Sequence, residues 1–304
     1  MRKDYQLVNG KVVPSDNDNP SVIVYISPSE EERQHLIKDL SLDEHTLNSA
    51  LDPDELARLE FEPEHLAVIF KRAKSYSNAE QLLFQDGSAG LFLFKDRLIM
   101  VLNEDVPFFT AKQFNRVSSL NDLALKLIYT SIFRYLEHLK IITMITDEIE
   151  QKVSASLENK YLINLFSLEK SLVYYLKSIN SNGVLIDKLR YNATKIGLTQ
   201  EETEFLEDIT IENNQCQKQA EMYSNILASL MDARASIVSN NLNILMKTLN
   251  IITICIMMPT LVVSIFSMNV PIPGQDMRSS FFIILGLALF SAVAVMAIWR
   301  YRKW

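Results

Sequence analysis

The sequence predicts an α/β domain in the N-terminal part, a long helical stalk after it, and two C-terminal helices that cross a membrane. Three observations carry this. Thr248 to Phe266 and Phe281 to Trp299 contain no charged residue, and each run is long enough to cross a hydrocarbon core of roughly 30 Å as a helix. From Gln200 onward there is no proline before Pro259 and no glycine before Gly274. One helix from Gln200 to Phe266 is therefore expected, on the order of 100 Å long at 1.5 Å per residue. Before Phe114, short apolar runs alternate with capped amphipathic ones, the pattern of a mixed sheet and helix domain.

Bulk composition narrows the function. A formal net charge of -7 over 304 residues argues against a nucleic-acid partner and suits a chain that attracts cations. Cys216 and Cys255 stand far apart without CxxC spacing, so neither a disulfide framework nor a cysteine zinc site is expected. His35, His45, His65 and His138 show no ligand spacing. There is no glycine-rich phosphate loop and no recognisable nucleophile, base and orienting group, so an enzyme is not expected.

Taken in order, residues 1–20 are polar, carry Asp16-Asn17-Asp18-Asn19 and lack an apolar core segment. They read as a flexible lead rather than a signal peptide. The domain proper is assigned to residues 21–117. Ser21 to Ser27 is a nearly continuous apolar strand, buried on both faces. Ser29 before Glu30, Glu31 and Glu32 caps a helix to about Leu40, and Ser41 and Asp43 start another that carries Leu47 and Leu51. Pro53 breaks the chain, and Asp52 or Asp54 caps the next element. Leu66–Phe70, Leu82–Phe84, Gly90–Phe94 and Leu98–Leu102 read as strands, with turns at Asp86-Gly87 and Lys95-Asp96-Arg97.

Residues 118–199 read as antiparallel helices packing on the stalk. Asn121 or Ser119 caps the first, to about Ser154, and Leu157 to Ile179 forms the second, kinked or ended at Ser181-Asn182-Gly183. Thr199-Gln200-Glu201-Glu202 is a capping box that opens the stalk, 200–247. Cys216, Ala220, Tyr223, Leu227, Leu230, Arg234, Ile237, Asn241 and Ile244 then alternate steps of four and three. Such a seam packs either on the preceding helices or on copies of itself. The first span is 248–267, the connector 268–280, the second span 281–299 and a basic tail 300–304. Lys247 and Arg300, Arg302 and Lys303 flank the spans, whereas the connector has Arg278 balanced by Asp276. The positive-inside rule therefore places both ends, and the α/β domain, in the cytoplasm.

Asn243, Met246, Leu249 or Asn250, Thr253, Met257, Thr260, Ser264 and Asn269 recur at helical spacing and share a face. Polar side chains there are costly against lipid and belong at a bundle interior or a water-filled path. Met246, Leu249 and Met257 on the same face suit constrictions that gate by dewetting.

The run Ser239-Asn240-Asn241, Asn243, Met246-Lys247, Leu249, Met258-Pro259-Thr260 and Met268-Asn269-Val270, followed by a second span and Arg300 to Trp304, resembles the CorA-type magnesium transporter family. That family ends its first membrane helix in Gly-Met-Asn, where this chain reads Ser267-Met268-Asn269. Glycine there permits φ > 0 or close backbone packing, whereas serine can hydrogen-bond locally. The resemblance implies a CorA-like homo-oligomer, a pentamer, in a bacterial cytoplasmic (inner) membrane, passing Mg²⁺ and Co²⁺ passively through an axial pore. It implies a selectivity filter of Ser267, Met268 and Asn269, and a pore lined by Asn243, Met246, Leu249, Thr253, Met257, Thr260 and Ser264. It also implies regulatory Mg²⁺ held between subunits at Asp208 with Asp52 or Asp54, a cluster that otherwise reads as a solvated acidic face. Two other functions suit the same scaffold: a Zn²⁺ transporter of the ZntB type, and a non-conducting membrane-anchored regulatory protein.

Overall fold

The computed structural model describes residues 1–17, 19–74, 82–106, 109, 112–155, 159–270 and 279–302. Leu157, the connector charges Asp276 and Arg278, and Lys303 lie outside them. The chain divides into two compact units, Met1–Met231 and Asp232–Trp304.

The first unit is built on a seven-stranded sheet of order β2-β1-β3-β7-β6-β5-β4. The strands are β1 (Arg2–Val8), β2 (Lys11–Pro14), β3 (Val22–Ile26), β4 (Arg58–Phe61), β5 (Leu66–Ala73), β6 (Asp86–Leu93) and β7 (Leu98–Leu102). Only the β3–β7 pair is parallel. Helices α1 (Glu30–Lys38) and α2 (Glu44–Leu51) bury Leu36, Leu47 and Ala50 against Ile23, Tyr25, Ile69 and Val101. The opposite face carries α3 (Leu120–Ala155), α4 (Asn159–Tyr191) and the start of α6 (Gln200–Phe266), which share a core with Val24, Phe70 and Met100. A helical layer on each side explains why every residue of β3 and β7 is buried and apolar. Gly90 is where α2 comes closest to the sheet, since a Cβ there would lie 2.5 Å from that of Ala50.

The caps form as the sequence suggests. Ser29 and Glu32 make a reciprocal capping box on α1, and Asp43 caps α2 through the N–H of Thr46. Ser119 accepts from the N–H of Asp122 at the start of α3. Thr199 and Glu202 make the second box at the start of α6, 3.3 and 2.8 Å. Between α4 and α6 stands the short α5 (Ala193–Ile196), ended by Gly197 at φ 81°.

Four expectations are corrected. Residues 2–14 are not a flexible lead: they form the β1–β2 hairpin, and β1 pairs with β3. The turn is Asn9-Gly10, with φ of 49° and 75°, a two-residue loop whose two positive φ values match the twist of the flanking strands. Asp52 and Asp54 do not cap a following helix, because the next element is the edge strand β4. Leu82–Phe84 is not a strand, and Asp86-Gly87 is not a turn but the start of β6, paired with Ala73 and Arg72.

Finally, Ser181-Asn182-Gly183 neither ends nor kinks α4, which continues to Tyr191. β4 pairs with β5 only as far as Ile69, leaving the backbone of Lys71 open on that side. The Asn182 side chain fills the gap, accepting from the Lys71 N–H at 2.7 Å and donating to its carbonyl at 2.8 Å. Ser181 likewise accepts from the Ala57 N–H, and Ser171 from that of Phe84. The polar residues of α4 thus complete the sheet instead of breaking the helix. Gly183 sits at the α4–α6 crossing, where a Cβ would lie 3.1 Å from Nδ2 of Asn213.

His138, on α3, meets the hydroxyl of Tyr175 at 2.6 Å and the ring of Phe84. Burial, and next the nearby Arg134, lower its pKa from 6.5 to about 4. A histidine depressed in the folded state contributes stability that is full above its unfolded pKa near 6.5 and is lost as pH falls toward 4. The melting temperature is therefore expected to fall between pH 6.5 and 4, and His138→Gln to flatten that slope, as a thermal-unfolding series in pH would show.

Candidate functional site

The second unit contains the end of α6 and α7 (Ser280–Arg302). Both are long and apolar enough to cross a membrane. Along α6, Ile251, Cys255, Pro259, Val262 and Phe266 are half-buried. At about 100° per residue these fall within about 80° of one another. On α7 the covered positions are Ile284, Ala288, Ser291, Ala292 and Val295, mostly small side chains that allow close approach. With no third element described in this unit, these stripes are where the two helices meet.

The predicted pore face lies opposite. Measured from Ile251, Met246, Leu249, Thr253, Met257, Thr260 and Ser264 fall at about 160–240°, and Asn243 on the flank at about 280°. All seven are exposed. Thr253 donates its hydroxyl to the carbonyl of Leu249 at 2.9 Å, and Thr260 to that of Ile256 at 2.7 Å. The protons are thereby turned into the helix, and the oxygens present lone pairs outward. The stripe thus offers acceptors to whatever it faces, with Met246, Leu249 and Met257 between them. Sequence spacing found this face; its position opposite α7 could not be read from one helix alone.

At the end of α6, the N–H of Ser267 bonds the carbonyls of Val263 and Ser264 at 3.1 and 3.2 Å. Its hydroxyl donates to the Ser264 carbonyl at 2.9 Å. Ser267 is not among the described residues with positive φ, so no glycine is required here. Serine fits without backbone strain and hydrogen-bonds locally. Met268 and Asn269 follow, both exposed.

The predicted regulatory carboxylates all lie in the first unit and are exposed. Asp52 and Asp54 form one turn, in which the carboxylate of Asp52 accepts from the Asp54 N–H at 2.9 Å. Beneath it the buried ammonium of Lys71 donates to the carbonyl of Pro53 and to Ser88 Oγ. Burial lowers the pKa of Lys71, and Asp86, Asp54 and Asp52 oppose that shift. Asp208 instead acts, with Glu212, on the phenol of Tyr129, whose pKa is raised mainly by burial. Among the described residues of one chain, no three His, Cys, Asp or Glu side chains converge on a point that could hold a metal. The stalk seam divides similarly: Cys216, Ala220 and Leu227 are buried in the core with α3 and α4, whereas Ile237 and Ile244 are exposed.

Comparison with known proteins places this architecture. The family described as CorA-like Mg²⁺ transporter protein matches residues 23–303. The chain belongs to the CorA family. Over 294 residues it is 23% identical to the cobalt/magnesium transport protein CorA of Methanocaldococcus jannaschii, covering 91% of this chain and 89% of that one. The CorA fold is equally clear. The complete structure of the M. jannaschii CorA magnesium transporter has a TM-score of 0.82 at 21% identity, covering 98% of this chain and 96% of the other. The full-length CmaX protein gives 0.74 at 16%, covering 99% and 97%. The ZntB cytoplasmic domain from Vibrio parahaemolyticus gives 0.62 at 14%, covering 78% and 98%. CorA membership and two apolar C-terminal helices together make this a membrane protein, of a family of transporters rather than enzymes.

Proposed function

We propose that the chain forms a homo-oligomer, a pentamer, that passes Mg²⁺ and Co²⁺ through an axial pore lined by the exposed stripe of α6. The single observation that carries this reading is the stripe itself. Thr253, Thr260 and Ser264 lie on an otherwise apolar helix, on the side away from α7 and with no cover from the described residues of their own chain. In lipid those oxygens would be costly, so they belong against water or against the same face of other copies.

Mg²⁺ gives up its waters reluctantly, so a path for the hydrated ion needs acceptor oxygens that bind those waters rather than the metal. The outward lone pairs of Thr253 and Thr260 meet that need along the path, and Asn269, one per subunit, would meet it at the outer mouth. The stripe carries no His or Cys, the side chains zinc favours, and Cys255 lies on the α7 side, which favours hydrated Mg²⁺ over the zinc reading. No energy source beyond the membrane potential is needed. Each charge moved gains about 2.3 kcal/mol per 100 mV, so a divalent ion gains about 5 kcal/mol, more than three orders of magnitude in concentration. The basic residues Lys247, Arg300 and Arg302 support placing the α/β domain and both termini in the cytoplasm. Regulatory Mg²⁺ at Asp208 with Asp52 or Asp54 would need carboxylates contributed by two copies.

Met257 tests the path. Replacing this apolar stripe residue by serine eases wetting, and Met257→Ser is expected to raise the initial Mg²⁺ flux by about three- to tenfold. Ile254→Ser, off the stripe, is expected to leave it within about twofold, on the same physical ground. Ratios of initial uptake rates in reconstituted vesicles decide it. Equal effects at both positions would sink the assignment of this face.

A further inference from the structure

We infer that Ser267 determines cation affinity: its Oγ adds a ring of acceptor oxygens beside that of Asn269 and tightens the hold on a hydrated divalent cation. The inference rests on the transport reading above and deepens it at one residue. The N–H of Ser267 still bonds the Val263 carbonyl at 3.1 Å, so the residue belongs to the last turn of α6 and keeps its phase. That places it at about 160° from Ile251, level with Leu249 on the exposed stripe. Its proton is committed to the Ser264 carbonyl at 2.9 Å, and its side chain is exposed. What Oγ presents outward is therefore lone pairs alone.

Water in the first shell of a divalent cation turns its oxygen to the metal and can only donate outward. An oxygen that can only accept is its complement, and one per subunit makes a ring. A glycine at this position would leave the backbone free but supply no oxygen. The competing role is purely structural, since the same hydroxyl also satisfies a carbonyl at a helix end.

Four forms of the full chain separate the two: wild type, Ser267→Ala, Ser267→Gly and Ser267→Thr, compared by Mg²⁺ uptake into proteoliposomes over a concentration series. Loss of the oxygen is expected to raise the apparent KM by about three- to tenfold in the alanine and glycine forms without lowering the maximal rate, the size of one hydrogen bond per cation. Threonine, which keeps the hydroxyl, is expected to stay within about twofold of wild type on that scale. Should alanine or glycine prevent assembly, Ser267→Cys keeps the size with a weaker acceptor and is expected to raise KM in the same direction. An unchanged KM in all assembled forms, with or without a lower melting temperature, would overturn the inference while leaving transport intact. Absence of flux in folded, oligomeric wild type would overturn both.

Discussion

Asn269→Ala is expected to lower Mg²⁺ uptake by at least about tenfold while leaving the oligomer assembled. The side chain is exposed beyond the last turn of α6, where a ring of amide oxygens from several subunits would meet the ion before it enters the stripe. Each hydrogen bond to a hydration water is worth about 0.5–1.5 kcal/mol, and several are lost together, which at 1.4 kcal/mol per tenfold gives about one to two orders of magnitude. The core of neither unit contains this residue, so size-exclusion behaviour and melting temperature should match wild type. A loss of flux that tracked loss of assembly would mean that Asn269 is structural.

Asn182→Leu is expected to be the most damaging single change in the first unit. Asn182 is fully buried and holds both backbone groups of Lys71. The Lys71 carbonyl keeps a second donor, Ser131 Oγ at 2.6 Å. Its N–H, which donates to Asn182, would be left unpaired in the core. An orphaned buried donor costs about 1–3 kcal/mol, and the lost bond adds to that. A total near 3 kcal/mol in a unit of this size lowers the melting temperature by about 5–10 °C. Asn180→Ala, two positions away and exposed, is expected to change stability by less than about 0.5 kcal/mol. Equal effects from both, read by thermal unfolding of the purified full chain, would contradict this account of α4.

Asn182 also shows where sequence reasoning stops. Ser181-Asn182-Gly183 looks like a helix break because those residues favour turns when their side chains bond locally. Here the side chains bond another element, a partner that no local pattern reveals. Where the partner is local, the reading succeeds: both capping boxes join residues three apart, and the buried strands β3 and β7 are legible from unbroken apolar runs. The β1–β2 hairpin was legible too, from Asn9-Gly10 between Leu7 and Val12, but the charged and polar residues around it read as a lead. β4 was hidden because an edge strand can carry charges, as Arg58 and Glu60 do.

The candidate path was legible as a helical face because its phase is set by one element. What lies opposite it depends on α7 and required the structure. The backbone at Ser267 required it as well, since sequence leaves open whether serine replaces a glycine that needs positive φ. The carboxylates Asp208, Asp52 and Asp54 do not converge within one chain, and a shared site there depends on a second copy.

Uptake of Mg²⁺ by proteoliposomes containing only the purified chain, under an inside-negative potential, tests the central claim most directly. Entry that grows with the potential, needs no other energy source and falls with Asn269→Ala is the expected result. No entry of Mg²⁺ or Co²⁺ at any potential, from folded and oligomeric protein, would contradict it and leave a non-conducting member of the CorA family.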